Sequence, residues 1–206
     1  MNYRLSRIAA ICGGKFSGCD SEVRSVVTDS RSLSCELGCR PMFVAMRGAN
    51  HDSHDFIAGM QSRGVRAFLV ERGVEASSCT GECGFVQVDN AIEALQRLAA
   101  YHRAQFRGTV VGITGSNGKT VIKEWIAEEL PEGMKYYRSP KSYNSQLGVP
   151  LSVLMLEGDE ELAIFEAGIS KPGEMERLER IIRPDAVIFT SIGDAHQENF
   201  INLEQK

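Results

Sequence analysis

The sequence predicts an α/β protein, with a small N-terminal α/β unit over residues 1–90 and part of a parallel-sheet, phosphate-loop domain over residues 91–206. Three observations predict it. Short apolar runs alternate with polar, glycine-bearing connections through the first unit, as strands do. From Thr109 the order becomes strand, glycine loop, helix, strand, helix, strand. Those later strands are nearly continuous in apolar residues, which suits a parallel sheet covered on both faces with ligands at the C-terminal ends of its strands.

The elements follow in order. Leu5, Ile8, Ala9 and Cys12 recur at helical spacing, and so do Phe56, Ile57 and Met60 before Gly64. Strands are expected at Val23–Val27, Met42–Met46, Ala67–Val70 and Phe85–Val88. Asn90 with Glu93 three residues later is a helix N-terminal signature, and the helix should bury Ile92, Leu95, Ala99, His102 and Phe106. His102 on that stripe reads as a packed histidine rather than a ligand. Thr109–Thr114 leads into a helix around Lys119–Leu130 that Pro131 ends, with Trp125 expected in the core. Leu162–Glu166 is a strand, Gly173–Ile182 a helix and Ala186–Thr190 the next strand.

Composition excludes several classes. Hydrophobic residues at 43% and charged residues at 24% are globular usage, so disorder and low complexity are excluded. With 27 acidic against 23 basic residues the net charge is -4, and no basic field exists to hold nucleic acid or anionic lipid. The run Ile8–Cys12 is too short for a signal-peptide core, and no stretch approaches the roughly 18 apolar residues of a membrane span. A cytoplasmic protein without membrane insertion is expected. The six cysteines are then expected as thiols. Cys35/Cys39 and Cys79/Cys83 could supply four thiolates to zinc, but C-x-x-C is the commoner spacing, so idle or buried thiols are the simpler reading.

The strongest chemical signal is Gly112-Ile113-Thr114-Gly115-Ser116-Asn117-Gly118-Lys119-Thr120. A glycine-rich turn between strand and helix aims backbone N–H groups at a polyphosphate, and the helix adds its positive end. Lys119 supplies charge to the phosphates, and the Thr120 hydroxyl suits Mg²⁺. Ile113 stands where the common phosphate-loop pattern has its first glycine. The alternative is a glycine-rich turn with a surface lysine. Glu166 closes the apolar strand Leu162–Phe165, where burial of a carboxylate demands a cation, and a metal would supply it. His196 lies beyond the next strand, so both fall at strand C-terminal ends.

The variant T-G-x-x-G-K-T resembles the Mur ligase family. So do Asn144 to Pro150 (N-x-x-x-G-x-P), Glu166 to Met175 (an acidic strand end followed by G-E-M) and Ile192 to His196. Upstream, Thr28–Arg31, Phe43–Gly48 and His51–Phe56 are similar to the family's nucleotide-sugar-binding domain. The resemblance covers nearly the whole chain. It implies a UDP-substrate-binding N-terminal domain, a central ATP-binding domain, and amide ligation with ATP and Mg²⁺ through an acyl phosphate. The style of Asn144–Pro150 and Glu166–Met175 implies UDP-N-acetylmuramoyl-tripeptide and D-alanyl-D-alanine as substrates in peptidoglycan synthesis. The branch that adds the third peptide residue is the nearest alternative, and a nucleotide-binding regulator without ligase chemistry is another.

By resemblance, Gly115, Ser116, Asn117, Gly118, Lys119 and Thr120 hold the nucleotide with Asn144. Lys119, Glu166 and His196 are the catalytic set, with Thr120, Glu166 and His196 on Mg²⁺. Ser30, Arg31, Arg47, Gly48, Asp52 and His54 match the UDP surface, an arginine fork suiting phosphate oxygens and Gly48 permitting close backbone approach. The spacing of His51, Asp52, His54 and Asp55 suits a hydrated turn better than a metal cluster. The family's metal-positioning carbamylated lysine falls by resemblance past Lys206, as does a closing C-terminal domain. The chain is therefore expected to be inactive alone.

Overall fold

A computed structural model describes residues 1–32, 40–48, 52–71, 82–191 and 193. Two compact units, Met1–Leu98 and Ala99–Lys206, divide the chain. The division falls inside a helix, later than the boundary at residue 90 expected from sequence.

The first unit contains β1 (Tyr3–Arg4), α1 (Leu5–Cys12), β2 (Lys15–Gly18), β3 (Glu22–Val23), β4 (Ser25–Val27) and β5 (Pro41–Ala45). A 3-10 turn, Ser53–Phe56, runs into α2 (Ile57–Ser62), followed by β6 (Ala67–Val70) and β7 (Gly84–Gln87). The sheet order is β2-β7-β6-β5-β4, parallel except for the antiparallel edge strand β2. Val23–Val27, expected as one strand, splits in two: Val23 pairs antiparallel with Tyr3, while Ser25–Val27 runs parallel to β5. β1, β2 and the antiparallel edge carried no apolar run and were not legible. Helix α1 buries Leu5, Ile8, Ala9 and Cys12, the spacing read from sequence. The core is aromatic, with Phe68 stacked on Phe85 at 5.3 Å and set edge-on to Phe43 at 6.5 Å. Each buried ring contributes roughly 1.5–3 kcal/mol through lost apolar surface.

Helix α3 (Ala91–Arg103) begins where expected, its start held by the Glu93 N–H donating to Asn90 Oδ1 at 2.9 Å. Its buried stripe is Ala91, Ala94, Leu95, Leu98 and Ala99, and Ile92 is exposed. The small alanines, not the isoleucine, face inward.

The second unit contains β8 (Thr109–Thr114), α4 (Lys119–Glu128), β9 (Tyr136–Arg138), α5 (Gly148–Val153), β10 (Leu162–Ala167), α6 (Glu174–Ile182) and β11 (Ala186–Phe189). The four strands are parallel in the order β11-β8-β10-β9. Register sets Thr114 level with both Ala167 and Phe189, so three strands end on one line. Trp125, expected in the core, is 63% exposed. Helix α4 instead turns Lys123 and Ala127 inward, while Ile122 and Ile126 flank a cluster of Ile113, Leu162 and Ile164. His102 is packed as expected, its Nε2 lying 2.9 Å from the Leu156 carbonyl.

Among the described residues no helix is long and apolar enough to cross a membrane. Cys12 and Cys83 are buried and Cys19 is exposed; Cys35, Cys39 and Cys79 lie outside the described residues.

Candidate active site

Three strand ends meeting on one line leave their following loops side by side, and the glycine loop is the central one. Gly115 has φ +130°, open only to glycine, and a Cβ there would lie 2.2 Å from Thr190 Oγ1. Gly118, at φ +82°, turns the chain into α4. The loop is clamped from the β11 side. The Ser116 N–H donates to the Ser191 carbonyl at 2.7 Å, the Gly193 N–H to Ser116 Oγ at 2.9 Å, and the Thr190 hydroxyl to the Asn117 carbonyl at 2.5 Å. Asn117 and Gly118 remain exposed, so one face of the loop is open.

Lys119 folds back over this loop, its Nζ donating to the Gly115 carbonyl at 2.6 Å. One residue on, the Thr120 hydroxyl donates to Glu166 Oε2 at 3.1 Å. Glu166 is fully buried, one residue short of the end of β10. Sequence reasoning assigned its counter-charge to a metal; the structure supplies one from the chain. Lys123 Nζ lies 2.8 Å from Glu166 Oε1, with both side chains at 0% exposure. The contact lies off the hydrogen-bond direction, so Oε1 has a charge partner and no donor. Burial of Glu166 therefore does not by itself require a metal.

Asn144 sits beside the same strand end. Its carbonyl accepts from the Gly168 N–H at 2.8 Å, and a Cβ on Gly168 would meet the Asn144 side chain at 3.2 Å. Thus Lys119, Thr120, Glu166 and Asn144 converge on the C-terminal ends of β8 and β10. His196 lies outside the described residues. Among the described residues no group of three or more His, Cys, Asp or Glu side chains is arranged to hold a metal ion.

In the first unit, Ser30 and Arg31 follow β4 and line a cavity of about 410 Å³ with Thr28, Asp29, Phe43, Ser53 and Phe56. Arg31 is 89% exposed and pairs with Asp29 at 2.9 Å; hydrogen bonds from its side chain and N–H hold the Asp29 carboxyl below its usual range. Arg47 lies 3.8 Å from Asp52, and Gly48 is exposed beside them. His54 is not at this surface. Its side chain is 1% exposed, with Nδ1 2.5 Å from Asp52 Oδ1 and Nε2 accepting from the Glu71 N–H at 3.0 Å. That acceptance puts the ring proton on Nδ1, which donates to Asp52. Both nitrogens are thus spent inside the fold, and His54 orients Asp52 instead of meeting a ligand. The polar run around it gave no hint of burial.

Sequence reasoning also missed Lys123, Thr190 and Ser191. Lys123 had one available signal, since an acid that ends an apolar strand calls for a cation and Lys123 follows Lys119 by one helical turn.

Comparison with known proteins gives the same picture. Residues 113–205 match the model of the Mur ligase middle domain. The chain is 32% identical over 182 residues to the UDP-N-acetylmuramoyl-tripeptide--D-alanyl-D-alanine ligase of Bacillus subtilis strain 168, covering 88% of this chain and 38% of that protein. It is 32% identical over 203 residues to the same ligase of Escherichia coli K12, covering 98% and 43%. Among solved structures, MurF from Acinetobacter baumannii superposes with a TM-score of 0.87 at 27% identity, over all of this chain and 44% of the other. MurF from Thermotoga maritima in complex with ADP gives 0.75 at 32% identity, over 89% and 41%. The chain spans about two fifths of the length of the curated relatives it matches, 38% and 43% for these two. The acidic strand end and most of the glycine loop and parallel sheet lie in the stretch that matches the Mur ligase middle domain, and over nearly its whole length the chain is similar to UDP-N-acetylmuramoyl-tripeptide--D-alanyl-D-alanine ligases.

Proposed function

We propose that this chain is the UDP-substrate-binding and ATP-binding portion of a ligase that joins D-alanyl-D-alanine to UDP-N-acetylmuramoyl-tripeptide in peptidoglycan synthesis. The observation that carries the reading is the Thr120–Glu166 hydrogen bond, which links the phosphate loop to the acid on β10. A hydroxyl and a carboxylate side by side at the edge of the loop are the oxygens that a nucleotide-bound Mg²⁺ takes. The two relatives named above, matched over 88% and 98% of this chain, support the tripeptide substrate over the branch that adds the third residue.

The residues fit Mg²⁺. The Thr120 hydroxyl and the Glu166 carboxylate are hard oxygen donors, and Glu166 Oε2 is the oxygen that faces Thr120 at the edge of the phosphate loop. Mg²⁺ favours a few such protein oxygens together with waters and phosphate oxygens, and when bound it neutralises charge on the transferring phosphoryl group. Thr120 and Glu166 would hold it, with His196 a further candidate. Lys119 is poised to leave the Gly115 carbonyl for a phosphate oxygen, and the exposed Asn117–Gly118 backbone offers its N–H groups to the same anion. The chain's part is positioning and charge stabilisation, by which a tripeptide carboxylate is activated as an acyl phosphate for attack by an amine. In the first unit, the cavity at Ser30 and Arg31 is the proposed seat of the UDP moiety, with Arg47, Gly48 and Asp52 beside it. The protein is proposed to work in the cytoplasm, where both substrates are met.

The test is phosphate release from ATP by the intact protein. It should require UDP-N-acetylmuramoyl-tripeptide and D-alanyl-D-alanine together, and Lys119→Ala should lower it at least about a hundredfold with folding intact. Release that ignores the second substrate, or an unaffected Lys119→Ala, would overturn the reading.

A further inference from the structure

Lys123 is the largest fully buried charged side chain among the described residues. Nothing in the phosphate-loop chemistry above uses it. A lysine inside a core is unfavourable unless every proton on its ammonium is engaged. Here Nζ donates to the Ser139 and Lys141 carbonyls, each at 2.7 Å, and stands 2.8 Å from Glu166 Oε1. Glu124 Oε1 lies farther off at 3.5 Å, and the other oxygen of that carboxylate, Oε2, is paired with Arg138.

The two carbonyls are themselves fixed. The Ser139 N–H donates to Ile164 of β10 at 2.9 Å, and Lys141 adopts φ +49°, a left-handed conformation that is unfavourable for a side-chain-bearing residue. Such a turn persists only when something holds it, and the Lys123 ammonium takes its carbonyl. The ammonium therefore cannot follow Glu166 if that side chain swings. Glu166 must instead come to it, which leaves Oε2 as the oxygen facing Thr120.

We propose that Lys123 is the positioning residue of this site. A backbone-anchored ammonium holds one oxygen of Glu166, so that the carboxylate is kept in one orientation, with its second oxygen toward the phosphate loop before nucleotide arrives. The same anchor ties the Ser139–Lys141 stretch, three residues before Asn144, to α4 and β10. The inference rests on the ligase reading only for the chemistry that Glu166 performs.

The experiment is a double-mutant cycle in the intact protein with Lys123→Met, Glu166→Gln and the pair together. The first readout is the thermal midpoint, which needs no activity. Lys123→Met should lower it by roughly 10 °C, because a buried carboxylate loses its cation. The double variant, with neither charge buried, should regain at least about half of that loss. The second readout is turnover. Lys123→Met should lower kcat about tenfold or more with KM for the UDP substrate unchanged, whereas in the Glu166→Gln background the same change should alter kcat less than about twofold.

Equal losses of kcat in both backgrounds, or strictly additive losses of midpoint, would overturn the proposal by making Lys123 a core filler. If Lys123→Met alone does not fold, Glu166→Gln against the double variant carries the test: a double variant that stays unfolded beside a folded Glu166→Gln counts against it. A wild-type protein without substrate-dependent phosphate release would refute the ligase reading, while the midpoint cycle would still decide whether Lys123 holds Glu166.

Discussion

Thr120 and Glu166, 46 residues apart in sequence, are joined by a hydrogen bond of 3.1 Å from the threonine hydroxyl to Oε2. The bond exists because β8 and β10 are parallel neighbours whose ends are level, so the first turn of α4 and the last residues of β10 reach the same point. Removing the hydroxyl leaves a buried carboxylate oxygen without its donor. Thr120→Val should therefore cost about 1–3 kcal/mol in chemical denaturation, and Thr120→Ser much less. A Thr120→Val protein as stable as wild type would show that the bond contributes nothing.

Gly115 carries a second constraint of the loop. Its φ of +130° excludes a side chain conformationally, and Thr190 and Ser191 exclude one sterically, since a Cβ would sit 2.2 Å from Thr190 Oγ1. Gly115→Ala should destabilise the second unit by about 2–4 kcal/mol, through backbone strain and displacement of the clamp. Gly133 makes a control, because it also has a positive φ but nothing lies within 4 Å of its added Cβ. Gly133→Ala should cost about 1 kcal/mol, from conformation alone. Equal losses at the two sites would remove the steric part of the argument.

Much of this site was legible because its signals are local. Glycine placement and the adjacent lysine and threonine describe a loop whose geometry is set by its own backbone, and three apolar runs describe strands whose ends must gather ligands. What was not legible depends on partners far away in sequence. Helix α4 has Ile122, Trp125 and Ile126 as its visible apolar residues, so a helical projection turns Lys123 outward. The structure turns Lys123 in because Glu166 waits there, and leaves Trp125 outside. His54 was hidden in the same way, since its burial depends on Glu71 arriving from the end of β6. Strand β9 and helix α5 were missed because neither is long enough to show a period.

Trp125 offers a direct check, since it is the chain's one tryptophan and it is 63% exposed. Its fluorescence should resemble that of tryptophan in water and should be quenched by acrylamide nearly as fast as the free amino acid. Trp125→Ala should change stability by no more than about 0.5 kcal/mol, as at other exposed positions. Blue-shifted emission that resists quenching would contradict the observed facing of α4.

Burial holds His102 below the ordinary histidine value, only partly offset by its bond to the Leu156 carbonyl. The folded protein thus binds this proton less readily than the unfolded chain does. As pH falls through the ordinary value of 6.5, the unfolded chain takes up the proton first, and stability is lost from there down to the folded value. Above 6.5 the contribution is complete, because both states are then neutral at this ring. His102→Gln, which cannot titrate and retains a donor for the Leu156 carbonyl, should show a shallower fall in thermal midpoint between pH 7 and pH 5 than wild type, by roughly a few degrees. NMR titration of the ring should place its midpoint below that of a histidine in an unfolded peptide. Parallel pH profiles for the two proteins would mean that His102 gains its proton as easily in the fold as in water, and that its packing against the Leu156 carbonyl is looser than the 2.9 Å contact indicates.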